Sequence, residues 1–437
     1  MPRIERLSGR EVLDSRGNPT VLASCRLEGG ICASASVPSG ASTGKAEAFE
    51  VRDGDLRRYR GLGCRRAAAN VGELLHGELA GRVFADQSEL DRMMIALDGT
   101  PRKSVLGANA ILAVSIAFAR AHALQNGIPL HQHFSDMLGS PANVIPRLTI
   151  NLFSGGKHAG QQVSIQDVLI IPMSAQTIDE ALVVAFDVYQ HAADLVFRKY
   201  GMRLLTADEG GLAPPCKTAD EMLDLAVECI EAAGYASGRQ VFLGIDVAST
   251  HFHENNRYTI DSEILDSLGM IKTIAKWLER YPIISIEDGL AEDDWENWPR
   301  LREEIAGRAL TLGDDLLCTN PSRIERAIET GACDALLLKV NQIGTLTEAL
   351  AAHKQAREAG WSIALSVRSG ETEDNWAADL AVGWQADQFK NGSMRQSERL
   401  AKYNRLLEIA EHTKWALAKW PRLSGVSGAP SAFRSVT

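Results

Sequence analysis

The sequence predicts an α/β protein in two parts, a small α+β domain over residues 1–130 and a large β/α barrel over residues 140–437. Three observations predict it. A chain of 437 residues is too long for one average domain and comfortable for two. The first 130 residues carry alternating patterns and then helical ones. Beyond residue 147 the rhythm changes to short apolar runs, each closed by a polar or charged residue and followed by a helical stretch. Strands alternating with helices imply parallel βαβ units, and several such units close into a barrel.

The elements follow in order. Residues 2–37 alternate apolar and polar side chains around Gly-Asn-Pro and Gly-Gly turns, which predicts a short antiparallel meander. Helical periodicity covers 62–80, 86–97 and 106–125. The Pro- and Gly-punctuated segment 127–147 reads as the domain boundary. In the barrel, "QVFLGIDVAS" ends at Asp246, "PIISIEDG" at Glu287, "RALTLGDDL" at Asp314, "CDALLLKVNQ" at Lys339 and "WSIALSVRSG" at Arg368. Helices are expected between them at 262–280, 294–306, 321–331, 344–359 and 372–382.

In a barrel the C-terminal strand ends converge on one face. Strand ends in any α/β protein are polar, so one acid there carries no message. Three acids together with Lys339 and Arg368 at successive ends point to a site. Asp246, Glu287 and Asp314 offer hard oxygen ligands that suit Mg²⁺, and no His/Cys cluster has zinc spacing. Beside a divalent cation Lys339 would have a depressed pKa and could serve as a general base. A lysine facing a metal-bound carboxylate suggests proton abstraction α to that carboxylate, with a metal-stabilised enediolate.

Three loops add candidates. "TADEGGLAPP" holds Asp208 and Glu209, either a solvated acidic turn or, beside the barrel acids, a source of a general acid in Glu209. "SGGKHAGQ" holds Lys157 and His158 between glycines that would permit a hinge closing over substrate; an ordinary surface loop fits it equally. "VPSGASTGK" fails the P-loop pattern, with Ser39 where Gly is needed and Ala46 after the lysine, so nucleotide triphosphate binding is not expected. It could still bring Ser42 to a metal or a phosphate.

Composition excludes other classes. The net charge of -10 leaves no basic face for nucleic acid. The most apolar run, "LGANAILAVSIAFARAHAL", is broken by Asn109, Ser115, Arg120 and His122, and so predicts a buried helix and not a membrane span. Seven scattered cysteines without a C-x-x-C suggest small buried hydrophobes in a reducing compartment. The charged N-terminus lacks an apolar signal segment, and a cytoplasmic protein is expected.

The strings "GREVLDSRGNPTV", "VPSGASTG", "LGANAILAVS", "SGGKHAG", "DEGGLAPP", "SIED", "GDDLLCTNPSRI", "LLLKVNQIGT", "RSGETED" and "SERLAKYNRLLEI" resemble the enolase family, end to end and in the family's order. The resemblance implies an N-terminal α+β capping domain and a modified (β/α)8 TIM-type barrel with an irregular start. It also implies two Mg²⁺ ions, a small anionic phosphorylated substrate, and a homodimer or larger assembly of dimers. Carried over residue by residue, Asp246, Glu287 and Asp314 match the ligands of the first Mg²⁺, and Ser42 the loop serine at the second. Lys339 matches the base at C2, and Glu209 the acid for the C3 hydroxide. His158 matches the loop histidine near the phosphate. Lys390, in "DQFKNG", matches the lysine on the substrate carboxylate. Arg368 and Ser369 match the phosphate clamp, and Gln166 joins the substrate-binding set.

The departures are concentrated. Enolases have His where this chain has Val367, and Glu where it has Asp167, another member of the catalytic set. Ser154 replaces Asn, Lys157 replaces Ser, Gly289 replaces Pro, and "FKNGSM" replaces "IKTGAP". Metal ligands, base and phosphate clamp are kept, while the hydroxyl side and the lid change. This implies either a weakened or ordinary enolase, or an enzyme on 2-phosphoglycerate- or phosphoenolpyruvate-like substrates with altered leaving-group chemistry. A relative with that logic is carboxyphosphonoenolpyruvate synthase of phosphinate pathways, where Lys157 would meet an extra anionic group. A non-catalytic scaffold would have no reason to keep so costly a buried cluster.

Overall fold

A computed structural model describes residues 1–41, 43–201 and 205–421. Ser42, expected at the second metal, lies outside them. The N-terminal meander is present as β1 (Ile4–Leu13), β2 (Pro19–Leu27) and β3 (Cys32–Ser36), paired antiparallel in that order. A continuous helical run follows as α1 (Arg65–Ala69), a π-helical turn (Asn70–Leu75) and α2 (His76–Leu79). Then come α3 (Gln87–Asp98) and α4 (Ala108–Gln125). Almost every side chain of α4 is buried, as its small residues allow, and no helix among the described residues is long and apolar enough to cross a membrane. The expected boundary segment contains a helix, α5 (Leu130–Leu138), packed on α4 and the barrel.

Eight strands close the barrel in the order β10-β11-β12-β13-β14-β4-β5-β6. They are β4 (Arg147–Ser154), β5 (Asp167–Pro172), β6 (Val241–Asp246), β10 (Ile283–Glu287), β11 (Leu310–Gly313), β12 (Ala335–Leu338), β13 (Ser362–Ser366) and β14 (Gln388–Lys390). A small sheet of β7 (His253–Glu254), β8 (Arg257–Ile260) and β9 (Glu263–Leu265) lies between β6 and β10, partly where a helix over 262–280 was expected. The barrel helices are α6 (Ile178–Tyr200), α7 (Ala219–Ala232), α8 (Ser267–Arg280), α9 (Trp298–Ile305), α10 (Pro321–Thr330), α11 (Val340–Ile343), α12 (Leu346–Glu358), α13 (Trp376–Gly383) and α14 (Ser397–Thr413).

A uniform set of parallel βαβ units does not hold at the start of the barrel. β5 runs antiparallel to both β4 and β6. The loop from β4 to β5 has no crossover helix, and a short connection can only reverse the strand. The pair α6 and α7 then carries the chain across and back, so β6 again opposes β5. The remaining pairs are parallel.

Buried polar links tie the first domain to the barrel. Lys103 pairs with Glu348 at 2.9 Å, and Thr347 donates to Asp91 through both its N–H, at 2.9 Å, and its hydroxyl, at 2.6 Å. A β-bridge joins Ser39 to Gly370, where a Cβ would meet Asp14 Oδ2 at 2.3 Å, so only glycine fits the joint. The cysteines are all free and all buried except Cys32, which is exposed against expectation because it opens the short strand β3 next to a turn.

The fold has a built-in acid sensitivity. His353 is 2% exposed and donates from Nε2 to Trp384 O at 2.8 Å. Burial holds its imidazole down at about 4, against an ordinary 6.5. The folded state refuses a proton that the unfolded chain accepts. The stabilisation is therefore whole above about pH 6.5 and is lost as pH falls towards 4. Melting temperature is expected to fall across that window, and His353→Gln to flatten the fall. A variant as steep as the parent would count against this assignment.

Candidate active site

The barrel register brings the strand-end acids side by side. Cα of Asp246 is paired with Asp167 on one side and Glu287 on the other. Asp314, Lys339 and Arg368 follow β11, β12 and β13, and Lys390 ends β14. Strands held in hydrogen-bonded register leave these side chains no choice of neighbour. A narrow cavity, with about 10 Å³ of open space, is lined by His158, Glu209, Lys339, Val367, Arg368 and Lys390 among others. That is room for about one water.

Salt links fill the centre. Lys390 Nζ donates to Asp246 Oδ2 and to both oxygens of Glu287, each at 2.8 Å. Gln166 Nε2 donates to Asp246 Oδ2 at 3.0 Å. Burial works against charge on Asp246, but Lys390 holds it at about 2. Burial and then Asp246 push Glu287 well above the usual carboxylate range, because one ammonium does not compensate two buried acids. Lys339 Nζ donates to Asp314 Oδ2, and Gln342 Nε2 donates to Asp314 Oδ1 at 2.8 Å. The depression of the Lys339 pKa was expected beside a divalent cation; the protein's own groups act in the other direction. Burial pulls it down, but Asp314 more than offsets that, and the ammonium is favoured.

On the opposite wall, His158 Nδ1 donates to Asp167 Oδ2 at 2.8 Å, and Nε2 lies 3.9 Å from Glu209 Oε1. Burial lowers the imidazole, yet Asp167 and Glu209 lift it to about 9. Glu209 accepts from Asn151 Nδ2 at 3.0 Å. Burial raises its carboxyl, but His158 brings it below the ordinary value.

Arg368 is gripped bidentately by Glu47, at 2.9 and 3.1 Å, and touches Asn341 Oδ1 at 3.1 Å. Ser369 Oγ accepts from Ala41 N at 2.8 Å and from Arg16 Nη1 at 3.3 Å. Val367 is buried, and its N–H donates to Lys390 O at 3.2 Å, so its side chain gives the cavity an apolar wall. Lys157 is exposed on the His158 loop and does not line the cavity. Asp167 is fully buried and does not line it either.

Sequence reasoning missed Glu47, Gln342 and Asp288. Asp288 accepts from the N–H groups of Asp314, at 3.0 Å, and Asp315, at 2.7 Å, and so fixes the turn that aims Asp314. The doubled acids in "IEDG" and "GDDL" were the available signal for that turn; Glu47 left none.

The donor set can hold a metal. Oxygen or nitrogen ligand atoms within 4.8 Å of one another occur in two buried groups, Asp288–Asp314–Asp315 and His158–Asp167–Glu209. In the second group, a hydrogen bond from the imidazole to Asp167 and a 3.9 Å ion contact with Glu209 account for the close approach. Asp246 and Glu287 meet through Lys390 instead, which leaves an excess of buried negative charge on hard oxygens of the kind Mg²⁺ suits. Two family models match the chain: the enolase N-terminal domain over residues 4–134 and the enolase C-terminal TIM barrel domain over residues 142–419. With the eight-stranded barrel and its buried acids, these matches cover both parts of the molecule, and the chain belongs to the enolase family.

Proposed function

We propose that the chain is a Mg²⁺-dependent enzyme on a 2-phosphoglycerate- or phosphoenolpyruvate-type substrate. It takes a proton α to the substrate carboxylate, with leaving-group chemistry altered from that of ordinary enolases. One observation carries this reading: Lys339 and the carboxylate-bound Lys390 line the same cavity as the apolar Val367. Asp246, Glu287 and Asp314 would hold Mg²⁺, which when bound polarises the substrate carboxylate and bears the charge that develops as C2 loses its proton.

The chain's own residues supply the rest. Lys390 offers an ammonium to the substrate carboxylate, and Arg368 with Ser369 offers donors to the phosphate. Lys339 must shed its proton and loosen from Asp314 before it can accept one from C2. Val367 has no donor or acceptor for a departing hydroxide. Val183, Phe186 and Phe197 stand exposed on α6, which favours a homo-oligomer as part of this reading.

The test uses purified protein, Mg²⁺ and 2-phosphoglycerate in deuterated water. Exchange at C2 is expected to outpace phosphoenolpyruvate formation by about tenfold or more. Dehydration that keeps pace with exchange would remove the altered chemistry, and absence of exchange would remove the reading as a whole. A second reading is transfer of a phosphonoformyl group to an enolpyruvate oxygen. The exposed Lys157, a cation on the loop above the cavity, favours it. Phosphorus NMR with a phosphonoformyl donor distinguishes that product from phosphoenolpyruvate.

A further inference from the structure

Ser154 ends β4, at the root of the loop that carries His158, and its hydroxyl donates to Asp167 Oδ1 at 2.6 Å. The other Asp167 oxygen accepts from His158 Nδ1 at 2.8 Å. Ser154 and Asp167 expose no surface, and neither lines the cavity. The short acid therefore ends behind the imidazole and not beside the substrate. The space there is tight: a Cβ on Gly211 would stand 2.7 Å from Ser154 Oγ. His158 and Glu209 do line the cavity, and on the far side of the ring Nε2 lies 3.9 Å from Glu209 Oε1, too long for a direct hydrogen bond.

We propose that Ser154 and Asp167 are positioning residues that lock His158 with Nε2 towards the cavity, making His158 the proton carrier for the leaving-group side. This rests on the proposed α-proton chemistry at the same site. A carboxylate that accepts two hydrogen bonds behind an imidazole fixes Nδ1–H as the inner donor and favours the doubly protonated ring. The other cavity cations have other tasks in the proposed chemistry: Lys339 takes the C2 proton, Lys390 meets the substrate carboxylate, and Arg368 is gripped by Glu47. Val367 has no proton to give. Glu209 is the charged partner that orients Nε2 from the front.

With a hydroxyl leaving group the step balances. Lys339 Nζ takes the C2 proton, and the C–H electron pair becomes the C2–C3 π bond. The C3–O bond breaks with its pair on oxygen, which takes the proton from His158 Nε2 and departs as water. His158 remains as a neutral ring, still donating from Nδ1 to Asp167. The charged groups facing it are Asp167 on β5, Asp246 on β6, Asp208 and Glu209 on the 206–212 loop, and His251 after β6.

The test uses the full chain loaded with Mg²⁺ and labelled with ¹⁵N-histidine. Long-range proton–nitrogen NMR reads the tautomer and titration midpoint of His158, assigned by loss of its signals in His158→Gln. Ser154→Ala and Asp167→Asn are expected to lower that midpoint by about one unit or more. With 2-phosphoglycerate, Asp167→Asn is expected to cut the dehydration kcat about tenfold or more. KM should change little and exchange at C2 should continue. The basic limb of the kcat profile should move to lower pH together with the NMR midpoint. An unchanged midpoint and tautomer in both variants would overturn the positioning role. Equal loss of exchange and dehydration in His158→Gln would overturn its place on the leaving-group side. If the parent neither exchanges nor dehydrates, the proposed chemistry fails, and the NMR arm still decides the positioning role.

Discussion

Lys339→Ala is expected to abolish exchange of the C2 proton, by about 10³-fold or more, the range that a positioned base contributes. The lysine is buried beside Asp314, and its backbone N–H donates to Thr319 Oγ1 at 2.9 Å, which fixes the root of its side chain. Lys390, the other lysine that lines the cavity, is paired with two carboxylates. Substrate binding should weaken far less than exchange. The variant leaves Asp314 with its Gln342 contact but without its ammonium, which costs stability when no cation compensates. The checks are deuterium exchange by NMR and thermal unfolding with and without Mg²⁺. Exchange within about tenfold of the parent would place the base elsewhere.

The second large effect runs the other way. Val367→His combined with Asp167→Glu is expected to raise dehydration of 2-phosphoglycerate by about 10- to 100-fold, since one well-placed hydrogen bond to a developing charge is worth that much or more. Exchange at C2 should not follow. The two substitutions are not equivalent. Val367 faces the cavity, so an imidazole there can reach substrate. Asp167 is enclosed, with Ser154 Oγ at 2.6 Å, and an extra methylene must displace that contact. Asp167→Glu alone is therefore expected to cost about 1–3 kcal/mol of stability, read by denaturant unfolding, because a close-packed site resists added volume. Equal dehydration in the parent, in Val367→His alone and in the double variant would detach Val367 from the leaving group.

The barrel was legible because its signal is local. An apolar run of four to six residues with an acid at its end tells both where a strand lies and where it stops. Asp246 and Glu287 end their strands where expected, and Asp314, Lys339 and Arg368 sit just beyond theirs. Helix α5 was hidden because Pro129 and Gly139, which read as breakers, sit just outside it as its caps. The reversed strand β5 was hidden because direction depends on what connects two strands and not on the strand's own residues.

The sequence by itself determined the two-part α/β architecture and the row of Asp246, Glu287, Asp314, Lys339 and Arg368 at the strand ends. These follow from side-chain chemistry and short-range periodicity, which a linear chain displays directly. Only the tertiary structure decided which charge meets which: Lys390 between Asp246 and Glu287, Arg368 on Glu47, and Asp167 on His158. Such pairings join residues far apart in the chain, and burial makes them decisive, because a charge removed from water must be matched by whatever the fold sets next to it.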